Sequence, residues 1–363
     1  MENFQISNDW DYLTRFLPLG WEEQAHILGA IQRQRKIESA SDLLRLFLIH
    51  LSDGCSLRET VTRAKQGGIS SISDVALLKR LRASSEWLRW MAQEMLSRQQ
   101  RIIPSTSFAG YNIKTVDATV ISEPGSTGTD WRLHYCLNLY NLQCDQFILT
   151  RQETGESFTN FKVSEGDLFI GDRAYGYPKG LKYVIDNGGH FLVRLRSKAF
   201  NFYDSNSKKI NLLPLLKPLS VGAKTDLEIY ANVPNESRLK MRLLALRKSE
   251  EKAEESIKRA MQEQSKKQRS VNAETMELHR YLIVVSSLPE IITPSQILEL
   301  YRFRWQIEIA FKRLKSIMGI GHLPKKDERS CRAWLHGKLL EAQLVQSIID
   351  EGQLFSPWGY ILR

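Results

Sequence analysis

Residues 294–319 read PSQILELYRFRWQIEIAFKRLKSIMG. This is the strongest helical signal in the chain, with Pro294 near its start and Gly319 at its end. At about 100° per residue, with Tyr301 as origin, Arg304 falls at about 300°, Glu308 at about 340°, Lys312 at about 20° and Lys315 at about 320°. Phe303, Ile307, Ala310, Phe311, Leu314 and Ile317 gather on the neighbouring side. One stripe is therefore apolar and core-facing, and the next carries a single carboxylate among three cations and a tyrosine. Two readings stay open at this point. The stripe is either a wet Arg304–Glu308–Lys312 ladder worth tenths of a kcal/mol, or a face that does chemistry.

Two more carboxylates bear on the choice. Asp117 sits in TVDATVI between Val116 and Ala118, within an apolar strand pattern. Asp172 follows LFIG, at the C-terminal end of a strand, where an α/β layer usually places its ligands. A carboxylate inside an apolar strand is costly unless paired or metal-bound. Hard divalent cations such as Mg²⁺ take oxygen ligands, so Asp117, Asp172 and Glu308 make chemical sense as one site assembled from two strands and a helix. Either aspartate alone reads equally well as a turn or cap.

Outward from these points the texture of the chain changes three times. Residues 1–105 read as helical: SASDLLRLFLIHLSDG has a polar start and a Gly54 stop, followed by SLRETVTRAKQGG and ISDVALLKRLRASSEWLRWMAQEML. Arg58, Arg63, Lys65, Lys79, Arg80, Arg82 and Arg89 punctuate them, as solvated bundle faces or as a small DNA-binding domain. Residues 106–196 carry NIKTVDATVIS, WRLHYCLNLY and QFILTRQE, then strand, helix and strand, which describe a mixed α/β sheet. Within WRLH, His134 reads as a satisfied strand histidine. Residues 197–278 interrupt this layer with short β-like pieces, LLPLLKPLSVG among them, and a charged helical run. Arg247 to Arg269 holds eight Lys/Arg and five Glu, by default a solvated face and alternatively a phosphate contact. Residues 279–363 return with the strand YLIVVSSLP, the helix above and a short helical tail.

Composition narrows the function. Lys+Arg 51 against Asp+Glu 41 gives a net charge of +10 over 363 residues, 42% of them hydrophobic. That surplus points to a polyanionic partner, nucleic acid before a membrane surface, while the hydrophobic share is enough for a sizeable core and excludes general disorder. No apolar run reaches the ~20 residues of a membrane span. Cys55, Cys136, Cys144 and Cys331 are scattered without C-x-x-C pairing, against a zinc knuckle or disulfide framework. The start, MENFQISNDWDYL, has no signal-peptide core, so a cytoplasmic location is expected.

The spacing Tyr301-x2-Arg304-x3-Glu308-x6-Lys315 resembles the Y-(2)-R-(3)-E-(6)-K signature of the IS4-family DDE transposases. DAT at Asp117, the PG…WRLHY segment and GDRAYG around Asp172 look like that family's first two acidic motifs, and the resemblance runs from about residue 56 to 347. It implies an RNase H-like catalytic core interrupted by a β-rich insertion between Asp172 and Glu308, preceded by an α-helical DNA-binding domain. It implies Asp117, Asp172 and Glu308 as catalytic ligands of two Mg²⁺ ions, with Mn²⁺ as substitute. Tyr301, Arg304, Lys315, Lys312 and Arg173 would contact DNA. The partners implied are the terminal inverted repeats of a bacterial insertion sequence, target DNA, and a second copy of the chain in a synaptic complex. The reaction implied is cleavage at the element ends through a hairpin, then strand transfer. Family members commonly read D-R-G-Y where this chain has Ala174. Many carry a Trp where it has Tyr281, which becomes the candidate for stacking a flipped base. Two alternatives remain: a metal-dependent nuclease or resolvase of the same fold, and an inactive DNA-binding regulator.

Overall fold

Alternating apolar runs after residue 110 pair into one ten-stranded sheet in the computed structural model, its strands in the spatial order 144–151, 131–138, 112–121, 167–171, 190–194, 281–286, 239–247, 224–231, 202–203 and 209–210. The structure describes residues 9–32, 36–52, 54–97, 108–196, 201–234, 237–266 and 273–354. They fall into two compact units, one made of residues 1–101, 120–132 and 311–363, the other of 102–119 and 133–310.

The first unit is helical: α1 (Asp9–Thr14), α2 (Trp21–Ile27), α3 (Ala40–Ser52), α4 (Leu57–Gln66), α5 (Asp74–Ala83), α6 (Ser85–Ser97) and, from the far end of the chain, α13 (Glu328–Leu354). Ser56 and Ser73 cap α4 and α5, their hydroxyls accepting from the amides of Glu59 and Ala76 at 3.2 and 3.3 Å. Leu43, Leu44 and Phe47 of α3, with Leu88 and Met91 of α6, are fully buried. Trp87 stacks on Trp21 with ring centroids 6.1 Å apart. The C-terminal helix is no short tail: at 27 residues it packs on α6, α3 and α5. Arg58, Arg63, Arg82 and Arg89 each lie against a carboxylate in this unit.

The second unit holds most of the sheet: β1 (Asn112–Ile121), β2 (Trp131–Asn138), β3 (Cys144–Arg151), β4 (Asp167–Gly171), β5 (His190–Arg194), β6 (Phe202–Tyr203), β7 (Lys209–Ile210), β8 (Lys224–Ala231), β9 (Leu239–Arg247) and β10 (Tyr281–Ser286). Its helices are α7 (Pro178–Asp186), α8 (Leu212–Leu216), α9 (Glu250–Lys266), α10 (Ala273–Leu278) and α11 (Pro294–Arg302); α12 (Gln306–Ser316) starts here. β4 runs parallel to both β1 and β5, while β10 is antiparallel to β5 and β9. The sheet is thus mixed, as expected. The interrupting segment does not form a sheet of its own, because β8 and β9 extend the main one through β10. LLPLLKPLSVG departs from its β-like reading: Asn211 caps a helical turn by accepting from the Leu213 amide at 3.2 Å, and Pro214 suits that turn better than a ladder.

The base of β1 and β4 is held by charge. Lys114 is 2% exposed and its ammonium lies 2.9 Å from Asp145 and 3.0 Å from Asp167. Asp167 also accepts from Asn112 Nδ2 at 2.9 Å and from the Ser164 amide at 2.9 Å. Such a buried group stays charged only because its partners and hydrogen bonds are complete.

At the other end of β4, Gly171 leaves room for the turn that follows. A Cβ there would sit 2.9 Å from Tyr175 Cβ and 3.2 Å from Phe158 Cζ. Gly171→Ala is therefore expected to cost about 1–3 kcal/mol by overpacking, read as a lower urea midpoint with unchanged slope. An unshifted midpoint would show that the turn yields freely.

Candidate functional site

The pairing of Asn112 with Asp167 through Thr115 with Ile170, carried two residues further, sets Asp117 across from Asp172. Neighbouring strands lie about 4.8 Å apart, so the two side chains share one end of the sheet. Asp172 is fixed as the cap of a 3₁₀ turn over Arg173–Tyr175, its Oδ1 accepting from the Ala174 amide at 2.7 Å. Asp117 accepts from the Ala118 amide at 2.8 Å. Burial first, then the charges of Asp172 and Glu156, push the Asp117 carboxyl up to about 7; the Ala118 amide and Arg304 pull the other way. A buried carboxyl held so far above its usual range, with like charges adding to the cost of burial, is a common mark of functional sites.

Residues 294–319 form two helices rather than one. Thr293 and Gln296 make a reciprocal capping box at the start of α11. After Arg302 the chain tightens into a 3₁₀ turn, Phe303–Trp305, before α12 resumes. That tighter winding takes Phe303 out of the expected apolar stripe: it is 50% exposed, and Ile317 is 74% exposed, while Ile307, Phe311 and Leu314 are buried. Gly319, at φ 69°, ends the segment in the left-handed conformation.

The turn aims Arg304 at the acids. Its guanidinium lies 3.7 Å from Asp117 Oδ2 and 2.5 Å from Glu308 Oε1. Arg304 thus spans from one expected ligand to another, in the place where a cation is wanted. The Glu308 side chain is 60% exposed. Among the described residues, no group of three His, Cys, Asp or Glu side chains stands close enough together to hold a metal ion. The geometry brings Asp117 and Asp172 together and links Glu308 to them through Arg304.

The remaining expected residues divide. Tyr301 is 8% exposed, its hydroxyl pushed up to about 12 by burial. With Asp172, Arg173 and Arg304 it lines a cavity of about 380 Å³. Lys312 and Lys315 are exposed on α12. Tyr281 is 2% exposed and the Arg247 guanidinium sits 5.0 Å over its ring. No face of that ring is open to a base, so the stacking role has no support in this geometry. His134 is a satisfied strand residue, with Thr150 Oγ1 at 3.0 Å and Asn160 Nδ2 at 3.2 Å.

Two neighbours of the acids escaped sequence reasoning. Glu156, just before a 3₁₀ turn, adds its charge to Asp117. Tyr175 is 1% exposed, and its hydroxyl is buried without a hydrogen-bond partner among the described residues. Burial, then Asp117, Glu156 and Asp172, drive that hydroxyl upward. The LFIGDRAYG pattern held the only signal for Tyr175, since an aromatic three residues past Asp172 folds back over the strand end.

Residues 150–341 match the family described as "Transposase DDE domain", a span that includes Asp172, Tyr301, Arg304, Glu308 and Lys315 and leaves Asp117 upstream. The putative transposase InsL of insertion sequence IS186A from Escherichia coli (strain K12) is 32% identical over 342 residues, 93% of this chain and 92% of that one. The transposase of IS421 from Escherichia coli is 32% identical over 343 residues with the same coverage. The transposase of IS231B from Bacillus thuringiensis subsp. berliner is 25% identical over 358 residues, 88% of this chain and 74% of that one. Among solved structures, a piggyBac transposase synaptic complex with hairpin DNA aligns at a TM-score of 0.47 and 9% identity, over 97% of this chain and 75% of that chain. That likeness carries no weight here. Identity of this depth, sustained end to end, means that the chain belongs to the IS4 family of DDE transposases.

Proposed function

We propose that this enzyme cuts DNA at the ends of its insertion sequence and joins the freed ends to target DNA, with Asp117, Asp172 and Glu308 as the acidic residues of the reaction. The observation that carries this reading is the register that sets Asp117 across from Asp172, with Arg304 reaching from Asp117 to Glu308. The three carboxylates would hold two Mg²⁺ ions, or Mn²⁺ in their place. The carboxylates of Asp172 and Glu156, whose charges act on the buried Asp117, suit a cation there. Bound ions supply activation of a water or a DNA 3′-OH and stabilisation of the departing oxygen.

The chain's own groups position the strand. Arg304 would exchange its carboxylate partners for phosphate oxygens, as a planar fork suits. Tyr301 and Arg173 face the same cavity, and Lys312 and Lys315 would take phosphates further along α12. The order of steps is a nick, attack of the freed 3′-OH on the opposite strand to give a hairpin, reopening, and strand transfer. We read β1–β5 with β10 as an RNase H-like core, residues 197–278 as the insertion and the N-terminal helices as a DNA-binding domain. Two copies would hold the paired ends, in the cytoplasm. Among the described residues no helix is long and apolar enough to cross a membrane.

Pre-cleaved element ends, incubated with Mg²⁺ and a circular plasmid, are expected to become covalently joined to it. Cleavage of intact ends without joining would favour a nuclease or resolvase. Binding with neither step would favour a regulator.

A further inference from the structure

Strand β9 carries one charge inward. Arg242 is 8% exposed, and all three nitrogens of its guanidinium are engaged. Nε donates to Asp226 Oδ1 at 3.2 Å, and Nη2 meets Asp226 Oδ2. Nη1 donates to three backbone carbonyls, those of Leu288, Pro289 and Ile292, at 3.3, 2.6 and 2.9 Å. Asp226 lies on β8, the partner strand of β9, so a two-pronged carboxylate contact holds the fork in one plane. A buried guanidinium is tolerated only where partners this complete surround it.

The three carbonyls belong to the turn between β10 and α11. Leu288 and Ile292 are buried there, and the Ile292 amide donates to the Pro289 carbonyl at 3.1 Å. Ser286 ties the other side of the turn: its hydroxyl donates to the Phe191 carbonyl at 3.0 Å and accepts from the Leu288 amide at 3.2 Å. The capping box of Thr293 and Gln296 then starts α11, and Lys224 of β8 donates to Ser295 Oγ at 2.7 Å. The helix runs nine residues, about 13 Å, and delivers the chain to the 3₁₀ turn that holds Arg304. Ile297, Leu298, Leu300 and Tyr301 are buried along it. Apolar contacts hold the helix down, but they are non-directional and do little to fix where it begins. The directional bonds at the turn do that.

We propose that Arg242 is a positioning residue for strand cleavage: locked by Asp226, it fixes the turn from which α11 departs, and through α11 it sets the place of Arg304 and Glu308 beside Asp117. This rests on the reading that Asp117 and Glu308 act on one phosphodiester. It gives the interrupting segment, which supplies both members of the pair, a part in the chemistry. A misplacement of about 1 Å at a reacting centre costs about a hundredfold in rate. The rival is direct contact with DNA, since a cavity of about 900 Å³ opens over the pair, walled also by Lys182, Arg238 and Lys240.

The test compares wild type with three variants. Arg242→Lys keeps the charge and loses the planar fork. Asp226→Asn keeps the size of the lock and loses its charge. Ile229→Val removes one buried methylene from the same strand as Asp226, a loss of stability without any tie to the turn. Affinity for a labelled element end is measured first, then single-turnover cleavage at saturating DNA and Mg²⁺, then the rise in melting temperature on adding Mg²⁺. Arg242→Lys is expected to bind within about twofold of wild type, to cleave at least about tenfold more slowly, and to show a smaller Mg²⁺-induced rise. Asp226→Asn is expected to cleave at least about threefold more slowly, and Ile229→Val to cleave like wild type. Wild-type rates in Arg242→Lys and Asp226→Asn would overturn the positioning role and leave the acids standing; should Arg242→Lys not fold, a wild-type rate in Asp226→Asn overturns it alone. Losses that Ile229→Val shares in proportion to its lost stability would overturn it in favour of a plain structural tie. Weaker binding with an unchanged saturated rate would overturn it in favour of a DNA contact. A wild type that binds the end and never cleaves removes the reading beneath, and the proposal with it.

Discussion

Glu308→Gln should bind element-end DNA as the wild type does and lose Mg²⁺-dependent strand cleavage by at least about a hundredfold. Removing even an outer partner of a metal ligand costs roughly 10–100-fold, so removing a ligand itself should cost no less. The amide keeps the size of the side chain and can still meet Arg304, which leaves the fold and the neighbouring cations in place. The opposing expectation is equally definite. An exposed i,i+4 pair contributes about 0.3–0.5 kcal/mol, and if Glu308 does no more than pair with Arg304, cleavage will fall by less than about threefold. A gel assay of a labelled end with and without Mg²⁺ separates the two outcomes.

Asp117→Asn should melt a few degrees above the wild type at pH 8, and the gain should shrink by more than half at pH 5 and vanish only below about pH 3.8. The sign follows from the direction of the shift. The folded-state carboxyl titrates at about 7 against an ordinary 3.8, so the folded state favours the proton. Wild-type stability therefore falls as pH rises through this interval, and the full cost is present above pH 7. Three pKa units would be about 4 kcal/mol; with the side chain 20% exposed, about 2–3 kcal/mol is a fairer figure. At about 2.1 cal/mol/K per residue, a chain of 363 residues shifts by roughly 1.3 °C per kcal/mol, so the difference is about 3–4 °C. Asparagine carries no charge and escapes this cost, at the expense of activity, as at other strained sites. Adding Mg²⁺ should then raise the wild-type melting temperature at pH 8 and leave Asp117→Asn where it was. Equal melting at both pH values would mean that neither burial nor the neighbouring acids penalise the Asp117 carboxylate.

Much of this was readable beforehand, for physical reasons that particular residues illustrate. Ser56, Ser73 and Thr293 announce helix starts because capping is local chemistry, decided within four residues. Asp117 and Asp172 announced themselves because a carboxylate in or just after an apolar strand needs a reason. Their being opposite one another was not readable, since register is settled by partners far away in sequence. For the same reason Glu156 went unseen: nothing in RQETGES says that it ends beside Asp117. Nothing in NIKTVDATVI sets Lys114 apart, yet it is buried between two aspartates from other strands. The 3₁₀ turn at Phe303–Trp305 was hidden because a uniform 100° projection has no place for a local tightening. Tyr281 followed the resemblance to a position that the strand pattern independently marks as core, and the core reading describes its surroundings.

The triad of Lys114, Asp145 and Asp167 has a consequence for how this sequence can drift. The level of the two proposed catalytic acids along the sheet is tied at the opposite end of the strands, and the segment between them supplies part of that tie through Asp145 of β3. Length changes in that segment are therefore tolerable only in its turns, outside β3. A neutral residue at Lys114 would leave Asp145 and Asp167 facing one another without their cation, a stability cost incurred far from either acid.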